Sequence, residues 1–126
     1  PFRLLYNNMN MNWSAAEEFC VSKGGHLASV ASPFHCHKLQ SYIAENDLQS
    51  FIADNYLYNN ELWLGGTDEA REGEWAWTDG SKWSEEHWGP YQPSNTSDKN
   101  CLDSCYDDWF DDRCQTEYRS ICSLPT

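Results

Sequence analysis

Six cysteines carry the most reactive chemistry in this 126-residue chain: Cys20, Cys36, Cys101, Cys105, Cys114 and Cys122. No two stand C-x-x-C, the spacing that a zinc ribbon or a thioredoxin-like redox centre requires. An even set in a small chain therefore points to disulfides formed in an oxidising compartment, with the connectivity open. His35-Cys36-His37 sets imidazole and thiol side by side, but alternate residues on a helix point apart, which favours a structural reading over a zinc site. Carboxylates are the other candidates. Asp68, Glu69 and Glu72 crowd one turn, and Tyr106-Asp107-Asp108 with Asp111-Asp112 forms an acidic strip. The strip lacks the glycine and terminal glutamate of an EF-hand, so it reads as an exposed loop able to steer a basic partner. No Ser/His/Asp set or activated cysteine occurs, and the chain is not expected to be an enzyme. Asn12-Trp13-Ser14 and Asn95-Thr96-Ser97 are sequons, which makes Asn12 and Asn95 candidate N-glycosylation sites of a secreted protein.

Bulk composition narrows the partners. Eight Lys and Arg against 20 Asp and Glu give a formal charge of −12, which a phosphate backbone repels, so nucleic acid is not an expected partner. No segment approaches the ~20 apolar residues of a membrane-crossing helix, and membrane insertion is not expected. The start at Pro1-Phe2-Arg3 lacks the basic-then-apolar layout of a signal peptide, and the chain is expected to be a soluble segment, processed or excised. Its length suits a single domain over residues 1–126. Of the 20 acidic residues, 14 follow Leu62. The first half reads as scaffold and the second as the seat of cation or ligand chemistry.

The elements that must position these groups follow from local pattern. Ser14 with Glu17 three residues later has the form of a capping box, and Ala16, Phe19, Cys20 and Lys23 share a face before Gly24-Gly25 supplies a left-handed stop. Ser32-Pro33 opens a second helix, with Cys36, Leu39 and Ile43 on one stripe. His26 to Val30 is a short strand between them. From Trp63 the period shortens: Trp63-Leu64-Gly65-Gly66 and Glu74-Trp75-Ala76-Trp77 read as strands, the second closed by a Thr78-Asp79-Gly80-Ser81 turn. Residues 82–99 show no period and form a long loop. Cys101-Leu102 and Ser120-Ile121-Cys122 return to the core as strands, making an α+β domain.

The order and spacing of Trp13-x-x-Ala16-x-x-x-Cys20, Gly25-His26-Leu27-Ala28-Ser29-Val30, Trp63-Leu64-Gly65-Gly66 and Gly73-Glu74-Trp75-Ala76-Trp77-Thr78-Asp79-Gly80 carry a resemblance. With Trp88 five residues before Pro93 and the closing Cys101, Cys114 and Cys122, nearly the whole chain resembles a short-form C-type lectin-like domain. The resemblance implies two helices flanking small antiparallel sheets, a long irregular loop at about 82–99, and disulfides Cys20–Cys122 and Cys101–Cys114. It leaves Cys36–Cys105 as a third pair outside the family's common pattern.

In that family, calcium held in the long loop binds carbohydrate through Glu-Pro-Asn or Gln-Pro-Asp, an acidic residue ahead of the next cysteine, and Trp-Asn-Asp. The matching positions here are Gln92-Pro93-Ser94, Lys99 before Asn100-Cys101, and Trp109-Phe110-Asp111. Gln92 and Asp111 stand in register, Ser94 offers one weaker oxygen, Lys99 brings a cation and Phe110 offers nothing. Asp98 is the candidate to replace the displaced carboxylate, and a shifted reading of Asp111-Asp112 would add an oxygen. An auxiliary calcium site of the family maps to Asp68 and Glu72 with Asn95 and Asn100 nearby, and any tighter calcium is expected there. The resemblance implies an extracellular recognition module, secreted or the ectodomain of a receptor, binding glycan through Gln92, Ser94, Asn95, Asp98, Asn100 and Asp111 with Trp83 and Trp88 at the edges. Gln92 leans toward galactose or N-acetylgalactosamine if binding is calcium-dependent. The alternative is a calcium-independent, protein-binding domain, and nothing in the sequence sets an oligomeric state. A calcium-dependent secreted lipase is disfavoured because its His-Asp pair is missing.

Overall fold

The computed structural model describes residues 2–29, 61–84, 86, 88–94, 96–105 and 108–125. Its elements run β1 (Phe2–Met11), α1 (Trp13–Ser22), β2 (His26–Leu27), β3 (Glu61–Thr67), β4 (Ala76–Trp77), β5 (Cys101–Cys105), β6 (Asp108–Asp112) and β7 (Tyr118–Pro125). The main sheet has the order β1-β7-β3-β5-β6, with β2 added on β7 and β4 on β3. Pairing is antiparallel except between β3 and β7, where Leu62 and Trp63 run parallel to Arg119 and Ser120. The second helix expected from Ser32, its Cys36, and the Cys36–Cys105 bridge lie outside the described residues and side chains.

The two-residue strand period sorts the apolar side chains onto opposite faces of this sheet. Leu4, Leu62, Leu64, Leu102, Trp109 and Ile121 go to one core with Ala28 and Trp77. Trp63, Cys101, Cys122 and Leu124 go to the other, where Trp13, Ala16 and Cys20 of α1 meet them. The disulfides Cys20–Cys122 and Cys101–Cys114 pin this second face, and they are the pairs that the resemblance implies. Two glycines permit close approach: a Cβ on Gly65 would sit 2.7 Å from the carbonyl oxygen of Leu27, and one on Gly66 would sit 2.7 Å from a methyl of Leu102.

Three local expectations change. The helix cap is Asn12, whose side-chain oxygen accepts from the Ala15 amide at 2.9 Å, and not Ser14. A cap of this kind is worth about 1 kcal/mol. The residue is exposed, and a glycan on its side-chain nitrogen would leave that carbonyl oxygen in place. Glu17 closes no capping box. Its carboxylate accepts from the Leu27 amide (2.9 Å) and the Thr78 hydroxyl (3.2 Å) and pairs with His26 Nδ1 (2.5 Å), fastening α1 to β2 and to the turn after β4. The acidic strip expected as an exposed loop is in part the strand β6, paired to β5 from Cys101↔Asp112 to Cys105↔Asp108. Asp111 is only 5% exposed, so it cannot serve as a solvated steering charge. Asp107 of that strip lies outside the described residues.

Candidate functional site

The long loop is built on tryptophan. Trp75, Trp77, Trp83, Trp88 and Trp109 form one connected group, with ring centroids 4.7 Å apart for Trp77–Trp83, 5.1 Å for Trp75–Trp88 and 5.5 Å for Trp77–Trp109. Trp83 and Trp88, expected at the edge of a ligand surface, are half-buried against the core and spend their ring faces on one another and on their neighbours. Such contacts each add about 0.5–1.5 kcal/mol beyond the area buried. They make the two residues the loop's foundation. Main-chain pairing reinforces it, since the Gly89 amide donates to the Trp109 carbonyl at 2.9 Å beside a Trp88–Trp109 bridge.

From that foundation the chain turns at Tyr91, whose φ of 64° is left-handed, and passes the cis Gln92–Pro93 bond. Gln92, Ser94 and Asp111 are brought together. The Ser94 amide donates to Asp111 Oδ1 at 3.0 Å, the Ser94 hydroxyl donates to Oδ2 at 2.7 Å, and Gln92 Oε1 accepts from the Asp111 amide at 3.3 Å. Both oxygens of the one carboxylate in this group are therefore satisfied by Ser94. Phe110 and Asp112 alternate to the opposite face of β6, so the shifted reading that would add Asp112 as a ligand fails on the strand period. Asp98 does not replace the displaced carboxylate. It pairs at 2.9 Å with Arg113 in an exposed bridge, and that guanidinium holds its carboxyl below the usual range. Calcium takes six to eight hard oxygens. Gln92, Ser94 and Asp111 supply too few, already engaged, so the described residues do not fit a sugar-coordinating ion.

The auxiliary group behaves differently. Asp68 sits just past β3 and is 2% exposed. Its amide donates to the Asn100 carbonyl at 3.1 Å, which brings it to the start of β5, and its Oδ2 accepts from the Gly73 amide at 2.9 Å. Asp68 Oδ1 and Asn100 Oδ1 are buried with no hydrogen-bond partner among the described residues. Glu72 closes the group: partial desolvation, then the adjacent Asp68 carboxylate, raise its carboxyl above the ordinary range. Buried acceptor oxygens without donors, beside two repelling carboxylates, are what a cation relieves. A calcium ion fits here, where Asp68, Glu72 and Asn100 would hold it and its charge would tie the β3 end to the base of the loop. Asn95, the fourth expected ligand, lies outside the described residues.

Tyr91 is the residue that sequence reasoning missed. It is 97% exposed, beside Gln92, with its ring spent on no contact in the core. Its place in a periodless loop gives no exposure signal. The only sequence clue is a large aromatic between Pro90 and Gln92.

Comparison with known proteins agrees with this architecture. The family model described as the Lectin C-type domain matches residues 9–124. The galactose-specific lectin nattectin of Thalassophryne nattereri is 29% identical over 121 residues, covering 94% of this chain and 70% of that protein. A type-2 ice-structuring protein of Brachyopsis segaliensis is 32% identical over 119 residues, covering 90% of this chain and 60% of that protein, so the chain spans less than two thirds of it. The crystal structure of human lithostathine superposes with a TM-score of 0.84 at 22% identity, over 99% of this chain and 84% of that one, which speaks to the fold. With its disulfides, its two-faced sheet and a family match over residues 9–124, the chain belongs to the C-type lectin domain family.

Proposed function

We propose that residues 1–126 form one extracellular, non-catalytic recognition domain that binds glycan through the exposed Tyr91 and the Gln92-Pro93-Ser94 segment, with calcium at Asp68, Glu72 and Asn100 holding the loop and not touching the sugar. C-type lectin domains bind glycans or proteins and are mostly extracellular. The observation that carries the reading is the Tyr91 ring, 97% exposed, next to Gln92. A flat aromatic face covers the apolar side of a pyranose while an amide hydrogen-bonds its hydroxyls. No described helix is long and apolar enough to cross a membrane.

A glycan array with and without chelator tests this reading, and galactose- and N-acetylgalactosamine-terminated glycans come first because a galactose-specific lectin is among the relatives. Tyr91→Ala and Gln92→Ala are each expected to weaken binding at least tenfold without lowering the melting temperature. Calcium at a hundred times its Kd adds about 2.7 kcal/mol of stability by mass action, and Asp68→Ala is expected to abolish that rise while Asp111→Ala keeps it. Glycan binding unaffected by both loop variants would overturn the assignment of the surface.

A second reading rests on the closed Ser94–Asp111 pair, which leaves no sugar-coordinating ion: a calcium-independent domain for a basic protein partner. Its mark would be binding that survives chelator, weakens with salt, and falls in an Asp107→Asn/Asp108→Asn variant.

A further inference from the structure

The side-chain acceptors of Gln92, Ser94 and Asp111 are engaged with one another before any ligand arrives. Asp111 is 5% exposed, and the Ser94 amide and hydroxyl donate to its two carboxylate oxygens at 3.0 and 2.7 Å. The Ser94 hydroxyl proton is spent in that bond, and its oxygen lies 3.0 Å from the Thr96 hydroxyl. The Asp111 amide in turn donates to Gln92 Oε1 at 3.3 Å. Only the oxygen of a carboxamide can accept from an N–H, so this bond fixes which end of the Gln92 side chain is which. The Gln92 backbone amide is spent as well, on the Gly89 carbonyl at 3.0 Å. What remains is the Nε2 amino group of Gln92, on a half-exposed side chain and engaged by none of the described residues. The residue before it is Tyr91, 97% exposed.

On the glycan reading given above, we propose that Gln92 offers the ligand amide N–H donors and not an oxygen, and that the group it reads is the acetamido carbonyl of an N-acetylated amino sugar. A donor pairs best here with an oxygen that brings no proton of its own. A hydroxyl in that place must find a second acceptor for its hydrogen, and the neighbouring side-chain oxygens are taken. Carbonyl, carboxylate and sulfate oxygens meet the condition. Charge then separates them: the chain carries −12, with 14 of its 20 acidic residues after Leu62, so an anionic sugar is repelled as it approaches. The neutral acetamido group is left. Its methyl is apolar, and the exposed Tyr91 ring is the apolar surface that the loop offers it. The acetamido group stands at carbon 2 of both N-acetylglucosamine and N-acetylgalactosamine, so a site that reads it takes both.

Chemical-shift titration of the whole chain with the methyl glycosides of N-acetylglucosamine, N-acetylgalactosamine, glucose and galactose tests the assignment. Both N-acetylated sugars are expected to bind about tenfold or more tightly than the two hexoses, since one net hydrogen bond is worth up to about that factor and burial of the methyl adds to it. Saturation transfer is expected to be strongest at the acetyl methyl. Gln92→Glu keeps the shape and the bond from the Asp111 amide but turns a second oxygen toward the ligand. It is expected to erase the preference at an unchanged melting temperature, and Gln92→Met, which keeps the length and removes both polar atoms, serves the same purpose if that variant does not fold. Equal affinity for N-acetylated sugars and hexoses, a preference that persists in both variants, or tighter binding of the methyl glycoside of glucuronic acid overturns the proposal. If all four neutral glycosides bind alike and Tyr91→Ala weakens each of them, the glycan reading stands while the acetamido assignment falls. If none of them binds and the glycan array is blank, both fall.

Discussion

Replacing Cys20 and Cys122 together by alanine is expected to leave the domain unfolded, or nearly so, at physiological temperature. The bridge joins residues 102 positions apart, and a cross-link closing a loop of that size stabilises by about 4–5 kcal/mol through the entropy it removes from the unfolded chain. Total stabilities of single domains run from about 5 to 15 kcal/mol. Both cysteines are also fully buried, between α1 and β7, so their removal opens a void at the helix–sheet seam. The paired variant Cys101→Ala/Cys114→Ala removes a bridge that spans a separation of only 13 residues and is expected to cost less, about 3 kcal/mol. Urea titrations followed by circular dichroism separate the two. A Cys20→Ala/Cys122→Ala protein that still melts cooperatively within a few degrees of wild type would refute the assignment of this bridge as the main staple.

The second large effect is expected from Trp77→Ala. Trp77 is 4% exposed, pairs through its backbone with Gly66, and holds Trp83 and Trp109 at 4.7 and 5.5 Å. Truncating a buried tryptophan costs about 3–5 kcal/mol. Here the loss propagates, since Trp83 and Trp88 anchor the long loop on the same group and the loop positions Tyr91 and Gln92. Ligand binding is expected to weaken alongside stability although Trp77 lies in the core. Trp77→Phe should cost far less, because it keeps a ring and removes an indole N–H that has no hydrogen-bond partner among the described residues. Near-ultraviolet circular dichroism and denaturant melts of the pair supply the check. A Trp77→Ala cost below about 1 kcal/mol would mean that the cluster repacks and that the loop does not depend on it.

What the sequence made legible was governed by how local the cause is. The helix over Trp13–Ser22, the strand around Trp63 and the turn after Trp77 carry their own periodicity and turn residues, and they appear in the structure where expected. β1 gave no such signal. Asn7, Asn8 and Asn10 are poor strand formers, and the segment is extended because β7 supplies its ladder. β6 was hidden for the same reason, its three aspartates outweighing Trp109 and Phe110 in any local reading. At the site, the register of Gln92 and Asp111 could be read from motif spacing, whereas the engagement of both Asp111 oxygens by Ser94 and the diversion of Asp98 to Arg113 are tertiary facts. Asp103 is the extreme case. A single aspartate between two cysteines carries no mark of burial, which arises only when β3, β6 and β7 assemble around it.

The pairing of β1 with β7 has a mechanical consequence. Phe2 lies opposite Pro125 and Met11 opposite Tyr118, so tension applied through the two strands opens their ladder one rung at a time, from the outer end inward. Such unzipping meets little resistance per step, but it is bounded, because the Cys20–Cys122 link takes the load once β1, α1 as far as Cys20, and the end of β7 beyond Cys122 have been drawn out. At about 3.3–3.6 Å per residue, the roughly 20 residues outside the link yield about 70 Å of slack. Everything between the two sulfurs, including Tyr91, Gln92, the Asp68–Asn100 group and the tryptophan cluster, then lies off the force path. The proposed binding surface is thereby kept out of the direct line of load, and the segments outside the link act as a short extensible leash.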